Sequence, residues 1–164
     1  MSRTIVRHFP KGRLALLAAR DGGTSGEDAV AAATRNVEQM RGESDKVLRQ
    51  TVTALEALVA ALQGETLSDG ALAQIYADAD RIVSLSGTFG LASLNRAARS
   101  LCNLLAALTT AKTRDASGIA VHVRALRLMA PGAAPMTPHA EAFMLEELAK
   151  LVGHYAPAAR RTVD

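Results

Sequence analysis

DADRIVSLSGTFGLASLNRAARSLCNLLAAL, residues 78–108, decides the fold. Leading into it, Leu72, Ile75, Ala79 and Ile82 recur at steps of three and four residues, so they share one face of a helix. Gly87 and Gly90 then bracket Thr88 and Phe89, where the backbone can leave helical angles or admit a close neighbour. Leu91, Leu94, Ala98, Leu101, Leu105 and Leu108 resume the same spacing. The stretch reads as helix, glycine-marked turn, helix.

Outward from this pair the pattern stays helical. Residues 27–63 carry Val37, Met40, Leu48, Val52, Leu55, Val59 and Leu62 on one face, interrupted only at Gly42-Glu43-Ser44. They predict one long helix, with room for a kink, or two helices, closed by Gly64 as a C-terminal cap. Ser68 is placed to cap the second helix and Asp69 to meet its dipole, and that helix ends near Ser86. The third helix runs from about Leu91 to Ala111. Asp115 and Ser117 offer an acid and a cap to a fourth, whose face is Ile119, Val123, Leu126 and Met129 and which stops before Pro131. Thr137-Pro138, a cap followed by proline at the first helical position, starts a fifth helix with Phe143, Leu148, Leu151 and Tyr155 on its face. Short connections favour antiparallel neighbours. The expected fold is all-α: an antiparallel up-down four-helix bundle with one additional C-terminal helix. Residues 1–26 are expected to be a flexible basic arm, dispensable for folding, and residues 27–156 the bundle. Residues 157–164 would be a tail.

Composition agrees with close-packed helices. Of 164 residues, 49% are hydrophobic but only 3% aromatic, and tryptophan is absent, so the core must be aliphatic. No apolar run approaches the ~20 residues of a membrane span, and the short run from Leu14 to Ala19 is no signal peptide. The single cysteine, Cys102, excludes an intramolecular disulfide and suits a reducing cytoplasm, where it is expected as a buried, inert thiol. The net charge of +3 comes largely from Arg3, Arg7, Lys11, Arg13 and Arg20, a solvated arm rather than a nucleic-acid surface.

Residues 80–94 then add order to periodicity. The segment from Asp80 to Gly90, with Leu94 after it, resembles the signature of the histidine phosphotransfer (HPt) domain of bacterial phosphorelays. That signature is His, any residue, Leu, Lys, Gly, Ser, Ser, two variable residues, an apolar residue and Gly, with a further apolar residue four positions on. Ile82, Ser86, Phe89, Gly90 and Leu94 fit it in register. The chemistry-bearing positions depart. The phosphorylated His falls on Asp80, the Lys on Val83 and the following Gly on Ser84. The resemblance covers residues 68–111 directly. It implies a two-component signalling role without phosphotransfer, and so no enzyme and no cofactor. It also implies a response-regulator receiver domain or a histidine kinase as partner. The docking surface would be Asp80, Val83, Ser84, Gly87 and Gly90, with Arg96 and Arg99 facing an acidic partner.

Phosphoryl transfer needs a solvent-facing imidazole and nearby positive charge to steady the phosphoryl oxygens. Asp80 is a weaker nucleophile that repels the incoming group, and Val83 brings no charge. Of the histidines His8, His122, His139 and His154, only His139 has a carboxylate close by, Glu141, a weak metal pairing. His122 is expected as a polar residue at the bundle edge. Two alternatives stay open: an active phosphotransfer protein using His122, which requires that side chain to face solvent, or a purely structural or dimerising bundle whose likeness to the signature is accidental, which as a homodimer should present a broad apolar face around Asp80.

Overall fold

The computed structural model describes residues 25–62 and 67–155. Five helices account for them, with no strand among the described residues: α1 (Gly26–Ala61), α2 (Asp69–Thr88), α3 (Ala92–Thr110), α4 (Ser117–Met129) and α5 (Pro138–Tyr155). The expected arm up to residue 24, Gly64 and the C-terminal tail lie outside the described residues. The chain divides into two compact units between Gln39 and Met40.

In the first unit, residues 26–39 form the opening of α1. Ser25 starts it: its Oγ accepts from the Asp28 amide at 3.0 Å and donates to the Asp28 carboxylate at 2.7 Å. None of these residues is buried, and Ala32 alone is half-buried. Val37 was expected to face a core, as was Met40 just beyond the boundary, yet both are exposed. The core-facing stripe of α1 begins at Leu48 and continues through Val52, Leu55 and Val59. Gly42 does not break α1, because a single glycine without proline costs only about 1 kcal/mol of helix propensity.

The second unit, from Met40 onward, holds the core. Leu48, Leu55, Ile75, Ile82, Leu94, Leu101, Leu104, Leu108, Ile119 and Leu126 are fully buried in one cluster. Individual contacts tie neighbouring helices together. Arg41 donates to the Phe89 carbonyl at 3.2 Å, while Met40, Val47, Arg81 and Leu85 line one groove between α1 and α2. Arg114, after α3, pairs with Asp69 at the start of α2 at 2.5 Å. Ser100 of α3 meets His122 of α4, and Arg127 of α4 reaches back to Glu56 of α1 at 3.1 Å. The fifth helix runs alongside α3 in the same direction, with Ser93 donating to Glu141 near both N-termini at 2.6 Å.

Local chemistry sets the helix ends. Ser68 caps α2, accepting from the Ala71 amide at 3.1 Å, and Thr137 caps α5, accepting from Ala140 at 3.2 Å. Asp115, not Ser117, receives the first free amide of α4, that of Ser117 at 2.8 Å. The Tyr155 hydroxyl also donates to Asp115 and holds that carboxyl below its usual range. On α5 the buried residues are Leu145 and Leu148; Phe143, expected on the core face, is exposed.

Candidate docking surface around Asp80

The helical repeat of α2 buries Leu72, Ile75, Ala79, Ile82 and Ser86. Asp80 follows a buried residue, so it is turned outward and is exposed. Val83, one turn on, is half-buried and packs against the core, and Gly87, a further turn on, is exposed. Asp80, Val83 and Gly87 therefore form a continuous strip along α2.

The strip is braced from α3. Asn95 Nδ2 donates to the Val83 carbonyl at 2.7 Å and to Ser86 Oγ at 3.2 Å, and Ser86 Oγ donates to the Ile82 carbonyl at 2.5 Å. Arg99 Nε donates to Asn95 Oδ1 at 3.0 Å. Gly87 makes this approach workable, since a Cβ there would sit 3.2 Å from Asn95 Nδ2. Gly90 ends α2: its φ of +73° is left-handed, and the Leu91 amide reaches back to the Ser86 carbonyl at 2.9 Å. That is the six-to-one bond of a Schellman cap, which favours glycine at this position. The helix runs on through Thr88, so the break is at Phe89–Gly90 rather than at Gly87.

The expected surface residues do not all fall together. Arg99 reaches Val83 through Asn95. The Cys102 thiol, half-buried rather than buried, is pushed up by burial first and then by the Asp80 charge, and is drawn down by its backbone hydrogen bond and then by Arg99. Ser84, one turn on from Asp80 and exposed, also lines the groove between α1 and α2, with Arg81 and Leu85. Leu85 stands where the HPt signature has its first serine, a further departure. Arg96 and Arg99 both line a groove between α3 and α5, with Asn103, Ala149 and Val152. Asn95 is the residue the sequence reading missed. Its signal was a polar side chain next to buried Leu94, facing a glycine across the turn.

His122 is not at the bundle edge: it is fully buried. The turn geometry of α4 puts its Nδ1 2.8 Å from the Gly118 carbonyl, and its Nε2 lies 3.0 Å from Ser100 Oγ. A carbonyl only accepts, so Nδ1 carries the proton and Nε2 accepts from the Ser100 hydroxyl. Burial lowers the imidazole pKa despite the Gly118 bond. Both nitrogens are occupied and neither meets solvent.

The described residues contain no cluster of three or more His, Cys, Asp or Glu able to hold a metal, and no helix long and apolar enough to cross a membrane. Of the large exposed hydrophobics, Tyr76 is the one on α2; the others lie on α1, α4 and α5. In comparisons with known proteins, no family model matches the chain, and neither a curated protein nor a solved structure matches it.

Proposed function

We propose that this protein is a degenerate HPt-like adaptor of two-component signalling, which docks a receiver domain or a histidine kinase without accepting a phosphoryl group. In this reading the second half of α1 with α2, α3 and α4 is the up-down four-helix bundle, α5 is an addition to it, and the protein works in the cytoplasm. The observation that carries it is the exposed Asp80 on the Asp80–Val83–Gly87 strip, at the position of the missing phospho-acceptor. Asp80 is a fixed negative charge there, a partial mimic with less charge and fewer acceptor oxygens than a phosphoryl group. The neighbouring Arg99 offers a cation to an acidic partner.

Two observations favour this over the alternatives. A fully buried His122 with both nitrogens engaged has no route to in-line attack on an acyl phosphate. The Asp80 strip is not broadly apolar, as a dimer face there would be. The test is to present the protein with a panel of receiver domains and histidine kinases, scoring binding and phosphoryl transfer separately. Binding at micromolar strength, about 8 kcal/mol, without transfer is the expected result. Transfer that disappears in His122→Ala would overturn it, as would an absence of binding across the panel.

A further inference from the structure

The groove between α3 and α5 holds two arginines and no acid. It encloses about 280 Å³, at the small end of the range for ligand sites. Arg96, Arg99, Ser100 and Asn103 of α3 form one wall, and Leu145, Ala149 and Val152 of α5 the other. Steps of three and four residues put the four polar side chains on one helix face, so the two guanidiniums are neighbours of like charge. Neither makes an ion pair among the described residues. Arg99 commits only Nε, to Asn95 Oδ1 at 3.0 Å, so its terminal nitrogens remain as donors. The acids of α5 are already engaged, Glu141 by Ser93, and Glu146 and Glu147 by Lys150.

The two walls together define what fits between them. A phosphate monoester carries about −1.5 to −2 charges near neutral pH, on three acceptor oxygens, and so matches two cations. Guanidinium groups meet phosphate oxygens with paired N–H bonds, a geometry that a lone ammonium does not offer. The opposite wall is apolar: Leu145 is buried, Val152 is half-buried, and Ala149 leaves room beside them. Ser100 gives its hydroxyl proton to His122 Nε2 at 3.0 Å, so its oxygen can only accept. An anionic head is therefore drawn to the arginines rather than to Ser100.

We propose that the α3/α5 groove binds a small phosphate monoester, with Arg96 and Arg99 on the phosphate and the carbon body against Leu145, Ala149 and Val152. Such a ligand needs no receiver domain or kinase, so the site stands or falls separately from the docking of those partners.

Titration of the full chain with phenyl phosphate, followed by two-dimensional amide NMR at constant ionic strength, tests it. Amide shifts should concentrate at residues 96–103 and 145–152 and saturate on the order of 1 mM, which a ligand of this size can reach. Inorganic phosphate, which lacks the apolar body, and benzoate, which carries one charge, should each bind at least ~10-fold more weakly. Arg96→Gln with Arg99→Gln should weaken phenyl phosphate at least ~10-fold. Both side chains are exposed, so circular dichroism and melting midpoint should stay near wild type. Ala149→Leu, also at an exposed position, fills the apolar wall and should weaken phenyl phosphate while leaving inorganic phosphate unchanged. Inorganic phosphate or benzoate binding as tightly as phenyl phosphate would overturn the proposal. So would shifts spread over the rest of the surface, a double variant that binds like wild type, or the absence of saturable binding.

Discussion

Asn95 of α3 donates from Nδ2 to the main-chain oxygen of Val83 on α2 at 2.7 Å, and Gly87 leaves the space for it. Asn95→Ala should cost about 1 kcal/mol through the lost bonds to Val83 and Ser86. Gly87→Ala would ordinarily gain up to ~1 kcal/mol of helix propensity. Here the new methyl presses on a side chain held by three bonds, so the gain should appear only in the Asn95→Ala background. A double-mutant cycle by urea denaturation checks this; additivity would show that the two residues are not coupled.

Leu94 and Leu101 are buried on the core face of α3. Truncating either to alanine should destabilise by ~2–5 kcal/mol. Equilibrium unfolding that shows a loss below about 1 kcal/mol would remove these faces from the core.

Burial depresses the His122 pKa in the folded protein. The unfolded chain therefore binds the extra proton first, and the folded state loses ground as pH falls below the unfolded imidazole value of ~6.5 toward the depressed folded one. Stability from this group is present above ~6.5 and approaches a loss of about 1.4 kcal/mol per pH unit within the window. His122→Leu should flatten the melting midpoint between pH 7 and pH 5 relative to wild type. An unchanged pH profile would mean that His122 is not the group responsible.

Wild-type protein should form no acid-labile phosphohistidine with phosphorylated receivers. Asp80→His alone should restore little transfer, because Val83 supplies no charge and Ser84 adds bulk where HPt domains have glycine. Each lost contribution to the transition state can be worth a factor of ~10–1,000. The triple change Asp80→His, Val83→Lys, Ser84→Gly should exceed the single one in a radiolabelled transfer assay. Equal rates would show that neither neighbour matters.

How much of this was legible in the sequence depended on periodicity. The buried positions of α2, α3 and α4 followed from spacing of three and four, because each helix has one apolar face and a core to receive it. Val37, Met40 and Phe143 share that spacing and are exposed, since a period names a face but not what covers it. His122 was misjudged because its carbonyl partner lies in its own helix and its hydroxyl partner 22 residues away. No motif encodes either bond. Gly90 was readable as a breaker, whereas the reason for Gly87 lay in the side chain of Asn95.

The left-handed turn at Gly90 also bears on the order in which the molecule assembles. It reverses the chain so tightly that Val83 and Asn95 meet across 12 positions, whereas Glu56 and Arg127 must meet across 71. Short loops close at lower entropic cost, so the α2–α3 hairpin is the tertiary unit most readily formed early. Replacing Gly90 by valine, which resists positive φ, should mainly slow refolding, while Arg127→Ala should mainly hasten unfolding. Stopped-flow chevrons read the two limbs separately, and the opposite assignment would place the first structure in α1 and α4 instead.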